Sequence, residues 1–153
     1  MKTASFGSIS GATMRIDDLI NAFAGQLEAL ADDNEYEALI AEAADWLTQE
    51  DNGIRTDYHQ DQGGYILEEL FDALDEAAPP YGYFGAHPGD GADYGFWLSE
   101  CFEQDFDGLK VDDTSKVPAD YCGEVLHVHD HGNMTLYAKD AGAPELREIW
   151  SLV

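Results

Sequence analysis

A chain of 153 residues suits one domain of ordinary size, and with apolar types at 44% and aromatics at 12% it can bury a core, which excludes wholesale disorder. Its 32 Asp and Glu stand against 7 Lys and Arg, a formal charge of −25 with neutral histidines. That balance rules out the common modes of direct nucleic-acid binding, which need cations on phosphates, and disfavours adsorption to an anionic membrane. No apolar run reaches the roughly 20 residues of a membrane span, and the opening stretch MKTASFGSISGATMRIDD lacks the apolar centre of a signal peptide. The chain therefore reads as cytoplasmic, within a host cell, with Cys101 and Cys122 as two reduced thiols rather than a disulfide framework.

Residues 1–13 are small, polar and without period, and read as a flexible N-terminal arm. Residues 14–153 read as one α+β domain, helical over 14–78 and mainly β over 81–153. From Arg15, the apolar positions Ile16, Leu19, Ile20, Phe23, Leu27 and Leu30 recur at three- and four-residue steps, the stripe of an amphipathic helix. After the polar break Asp32-Asp33-Asn34, the residues Tyr36, Leu39, Ile40, Ala43, Ala44 and Leu47 repeat that spacing until Asn52-Gly53 ends it. A polar, glycine-bearing stretch from Ile54 to Gly64 precedes a third helical pattern through Leu67, Leu70, Phe71 and Leu74, closed by Pro79-Pro80.

Helix formers then thin out, and the segment from Tyr81 to Trp97 alternates aromatics with glycine, predicting short strands and tight turns. Val125, Leu126 and Val128, then Met134, Leu136 and Tyr137, flank the turn signal Asp130-His131-Gly132-Asn133 and predict a hairpin. The last apolar segment, Leu146 to Val153, is expected as an edge or partner strand of the same antiparallel sheet. The fold expected is a three-helix region packed on a C-terminal antiparallel β-sheet.

Between Ile16 and Leu109 lie 24 of the 32 acids and a single base, Arg55, so ordinary Glu-to-Lys pairs cannot lace the helices. On the third helix Glu68, Asp72 and then Asp75 or Glu76 recur at three- and four-residue steps, placing a negative charge about every 5–6 Å, a pitch comparable to phosphates along one DNA strand. Glu28, Asp32 and Glu35, then Glu42 and Asp45, form similar rows on the first two helices. A solubility coat or halophile-like solvation is the plain alternative. Against it, a small domain needs a net charge of only about 2–8 in magnitude, and a larger excess costs stability by self-repulsion. Dimerisation or bound cations would relieve that repulsion.

Few constellations suggest chemistry. His127 and His129, two apart on a strand, share a face and are weak candidates for a metal, with His131 nearby in the turn. Their spacing is one residue short of the His-x-His-x-Asp-His arrangement of metallo-β-lactamase-like hydrolases. The loop from His87 to Asp93, with Asp90, reads as a structural turn, lacking the graded oxygen ligands of a calcium loop. No Ser or Cys stands in a nucleophile frame, and no glycine loop carries the Lys or Thr of a phosphate cradle. No catalytic residue and no cofactor is assigned. Trp46, Trp97, Trp150 and the tyrosines read most simply as core or core-edge aromatics.

The segments Tyr83-Phe-Gly-Ala-His-Pro-Gly-Asp-Gly-Ala-Asp-Tyr-Gly-Phe-Trp97, Gly123-Glu-Val-Leu-His-Val-His-Asp-His-Gly-Asn-Met-Thr-Leu-Tyr137 and Glu148-Ile-Trp-Ser-Leu-Val153 resemble small uncharacterised proteins of bacteriophages and prophages. The resemblance implies a mobile-element setting and carries no catalytic residues. By size and charge the chain is also similar to phage-encoded acidic inhibitors, the DNA-mimicking antirestriction and anti-CRISPR proteins. That likeness implies a non-enzymatic inhibitor whose carboxylates Glu28, Asp32, Glu35, Glu42, Asp45, Glu68, Asp72, Asp75 and Glu76 occupy the basic nucleic-acid site of a host defence or DNA-processing protein. The alternatives are an acidic immunity or antitoxin-like protein that neutralises a basic toxin through a shaped interface, and a metalloenzyme built on His127 and His129.

Overall fold

The computed structural model describes every residue except Asp33, Asp130 and Val153. The expected helix break at 32–34, hairpin turn at 130–133 and final strand to 153 each include one residue outside that description. The chain is α+β and divides into two compact units, Met1–Leu98 and Ser99–Val153, where the length prior predicts a single core.

The first unit holds α1 (Ile16–Leu30), α2 (Glu37–Asp51) and α3 (Asp57–Asp75) with strands β1 (Gly7–Ser10), β2 (Gly82–His87) and β3 (Asp90–Leu98). The strands form an antiparallel sheet in the order β1-β3-β2. Helix α1 buries Leu19, Ile20, Phe23, Leu27 and Leu30, the stripe expected from its spacing. These meet Ile66, Leu70 and Leu74 of α3 and Phe84 and Phe96 of the sheet in one core. Phe84 is its hub, with ring centroids 4.9 Å from Phe23, 5.0 Å from Phe71 and 5.1 Å from Phe96. Helix α2 buries only Ala43 and Trp46.

Helix α3 begins ten residues before its first expected apolar contact. Thr56 caps it, its hydroxyl accepting from the backbone N–H of His59 at 3.2 Å, so the polar stretch 57–64 is helical rather than loop. Gly63 is required there: a Cβ on it would lie 2.5 Å from Cζ2 of Trp46. Tyr36 with Glu76, Glu42 with Gln62 and Glu50 with His59 pair in opposite order along the two helices, so α2 and α3 run antiparallel.

Residues 1–13 are not a free arm. Lys2 N–H donates to Leu30 C=O and Ala4 N–H to Ala77 C=O, both at 2.8 Å, Ala4 is buried, and β1 adds an edge to β3. Main-chain hydrogen bonds hold this segment, and small residues leave no side-chain period to announce them. The pairing depends on Gly95, where a Cβ would sit 2.2 Å from the carbonyl oxygen of Gly7.

The second unit carries β4 (Leu109–Val111), β5 (Gly123–Val128), β6 (Met134–Lys139) and β7 (Arg147–Leu152), with a single turn α4 (Phe102–Asp105). The strand order is β4-β5-β6-β7. The β5–β6 hairpin and the terminal strand are antiparallel as expected, whereas β4 joins β5 in parallel. Strand β7 thus extends the hairpin's own sheet and not that of β2 and β3. Phe102, Phe106, Val125, Leu126, Leu136 and Trp150 are the buried apolar residues of this unit, with Phe102 5.7 Å from Trp150 between ring centroids. Lys139 is buried and donates to the carbonyls of Pro118 at 2.8 Å and Ala119 at 2.7 Å, tying the β4–β5 connection to β6.

Candidate interaction surface

Unit 1 carries 20 Asp and Glu against 3 Lys and Arg, a formal −17. Its three bases are engaged locally. Arg15 pairs with Asp17, Arg55 lies 2.8 Å from Glu50, and the Lys2 ammonium donates to the Ala29 carbonyl at 3.3 Å. The Arg15 guanidinium holds the Asp17 carboxyl below the usual carboxylate range, by hydrogen bond first.

All nine carboxylates singled out by the sequence are exposed, and the structure gathers some of them. Glu28, Asp32 and Glu35 join Glu37 around a groove of about 460 Å³ between the end of α1 and the start of α2. The ammonium of Met1 lies 2.7 Å from Asp32 and 3.1 Å from Glu35, and its hydrogen bond holds the Asp32 carboxyl below the ordinary range. Glu68 and Asp72 rim a second groove of about 300 Å³ floored by Leu19, Phe23, Leu67, Phe71 and Tyr94. Four others have structural partners. Glu42 accepts from Gln62 at 3.3 Å, Asp45 from Gln49 at 2.7 Å, and Glu76 from the Tyr36 hydroxyl at 2.9 Å, which raises the phenol's pKa. Asp75 accepts from the backbone N–H of Phe84 at 2.8 Å, joining the end of α3 to β2.

This last bond sets an expected result. Asp75→Ala strands a backbone donor on a nearly buried residue and should lower stability by about 1–2 kcal/mol, whereas Asp75→Asn, which keeps an acceptor, should cost less. Urea denaturation of the two variants measures the difference.

The sequence reading missed a face of α3. Its core side runs through His59, Gly63, Ile66, Leu70 and Leu74. Opposite, Tyr58, Asp61, Tyr65, Glu68 and Asp72 follow at steps of three and four, all exposed, with Tyr58 at 77% and Tyr65 at 68%. These tyrosines are surface residues rather than core-edge aromatics. The Thr56 cap was the signal that would have placed them on a helix.

In unit 2, His127 belongs to β5 and His129 lies one residue past its end, with their ring centroids 3.9 Å apart. Nε2 of His127 lies 3.2 Å from the Asp112 carbonyl and Nε2 of His129 lies 3.3 Å from the Thr135 hydroxyl. Among the described residues, no group of three or more His, Cys, Asp and Glu is disposed to hold a metal. The expected 87–93 loop is narrower, since only residues 88–89 lie between β2 and β3; there Asp90 accepts from Ala92 N–H at 3.0 Å and Gly89 N–H donates to His87 Nδ1 at 3.0 Å, the bonds of a structural turn. Cys101 and Cys122 are free and exposed. Among the described residues, no helix is long and apolar enough to cross a membrane. No protein-family model, curated protein or solved structure matches this chain.

Proposed function

We propose that this protein is a non-enzymatic inhibitor that lays its acidic helical surface into the positively charged nucleic-acid site of a host defence or DNA-processing protein, in the manner of antirestriction and anti-CRISPR DNA mimics. The observation that carries this reading is the pairing of exposed carboxylate rows with a near-absence of neighbouring cations. The carboxylates of Glu28, Glu68 and Asp72 are exposed at the groove rims and make no side-chain hydrogen bond or ion pair among the described residues, so their charge is available to a partner. Such a surface speeds association with a basic site and makes the complex sensitive to salt.

A second reading, an acidic immunity or antitoxin-like protein acting on a basic toxin, is favoured by the apolar groove beneath Glu68 and Asp72, since a shaped interface needs a seat for an anchoring side chain. The partner is basic in both.

The test is capture of the partner from cells that carry the gene, followed by titration of the complex with salt and with duplex DNA. Mimicry predicts that DNA and this protein displace one another and that affinity falls by at least about tenfold between 50 and 200 mM salt, as screening of several ion pairs requires. A captured partner that still binds DNA while holding this protein would refute mimicry, and an affinity indifferent to salt would refute a charge-driven interface of either kind.

A further inference from the structure

We infer that the outer face of α3 is a docking ridge for arginine side chains of the basic partner, with Tyr58 and Tyr65 as stacking platforms between carboxylates. The inference rests on the reading that the partner is basic, and it names the cation.

Tyr58, Asp61, Tyr65, Glu68 and Asp72 lie on the side of α3 opposite its buried residues. Neighbours at three and four residues along a helix stand about 5–6 Å apart. Each ring therefore has a carboxylate beside it: Tyr58 has Asp61, and Tyr65 has Asp61 on one side and Glu68 on the other. Beside Tyr65 the surface is notched, because Gly64 has no side chain and a Cβ there would meet no atom within 4 Å. Gln60, Asp61, Gly64, Tyr65 and Glu68 line the resulting cleft, of about 350 Å³.

This alternation selects between the two basic side chains. A planar guanidinium can lie on a tyrosine face while its edge donates to the adjacent carboxylate, satisfying both contacts at once. A lysine ammonium is a compact, strongly hydrated charge that gains from the carboxylates but little from the ring. Two large aromatics held in water on a helix are also the residue type that dominates interfaces, where tyrosine and arginine recur as anchors. Among the described residues, neither Asp61, Glu68 nor Asp72 is paired with a base of the chain itself, so the ridge's charge is uncompensated.

The full-length protein titrated with octa-arginine and octa-lysine peptides, by calorimetry at fixed salt, tests this. Octa-arginine should bind about fivefold or more tighter, the scale of exposed cation–π contacts acting at two rings. Tyr58→Ala with Tyr65→Ala should reduce the ratio to near unity, leaving lysine-peptide affinity little changed. Tyr58→Phe with Tyr65→Phe should keep the preference, since the ring face and not the hydroxyl is used. Both sites are exposed, and the circular dichroism of the variants should match the parent. Equal affinity for the two peptides, or a preference that survives the double alanine variant, would overturn the ridge while leaving a basic partner intact. Failure of both peptides to bind would overturn both the ridge and the charge-driven reading beneath it.

Discussion

Trp46→Ala should be among the most destabilising single substitutions in the protein, costing unit 1 about 3–5 kcal/mol, the range for emptying a buried aromatic site. Trp46 is 1% exposed and is the large fully buried side chain of α2, beside Ala43, with Leu39, Ile40 and Leu47 packed partly buried on the same core. The ring stacks on His59 at 4.6 Å and 2°, and Nε1 donates to the His59 carbonyl at 2.8 Å. His59 in turn sits 3.1 Å from Glu50 through Nε2, so loss of the indole also loosens a buried polar side chain. For a unit of this size, 1 kcal/mol moves the melting temperature by about 4–8 °C, so a drop of more than about 12 °C is expected. Gly63→Ala provides the internal check. In the parent its methyl would meet Trp46 at 2.5 Å and should destabilise by about 1–3 kcal/mol. In the Trp46→Ala background the same methyl enters vacated space and gains helix propensity, so its effect should turn neutral or favourable. Additive costs in thermal melts of the two singles and the double would show that the indole and glycine do not share a site.

That contact also explains where the sequence was hard to read. Helix α1 was legible because its apolar residues alone carry its period, and the β5–β6 hairpin because a turn signal separates two strand-like runs. Helix α3 was legible only from Leu67 onward. Its first half buries His59 and Gly63, a polar residue and one with no side chain, so the core side has no hydrophobic signature. Glycine in mid-helix reads as a breaker until the partner filling its space is known, and that partner, Trp46, is 17 residues away in sequence. The same displacement hid the Tyr58–Asp72 ridge, since a face exists only once the helix does. Strand β1 was illegible for another reason: it is held by main-chain bonds and by a close approach to Gly95, neither of which has a periodicity. The carboxylate rows were legible as charge, but their local partners were not. That Asp75 serves β2 and that Asp32 and Glu35 face an ammonium are consequences of tertiary placement.

Those partners decide which carboxylates to reverse in testing function. Glu28→Lys, Glu42→Lys, Glu68→Lys and Asp72→Lys combined should weaken binding to the basic partner by roughly a hundredfold or more, since each exposed pair contributes a fraction of a kcal/mol and reversal converts attraction to repulsion. The choice leaves Asp75 on its backbone donor and Asp32 and Glu35 on the Met1 ammonium, so the fold keeps its anchors. Of the four carboxylates, only that of Glu42 has a partner among the described residues, a 3.3 Å bond from Gln62. Stability should hold or rise, because four reversals remove eight units from a charge of −25 and relieve self-repulsion. Opposite movements of stability and affinity are the signature of a surface whose charge serves a partner rather than the fold. Measured together, a variant that melts no lower and binds no weaker would identify the carboxylates as a hydration coat. Reversals taken one at a time distinguish the two readings of the partner: mimicry spreads the loss over all four positions, whereas a shaped interface concentrates it at Glu68 and Asp72, the rim of the apolar groove.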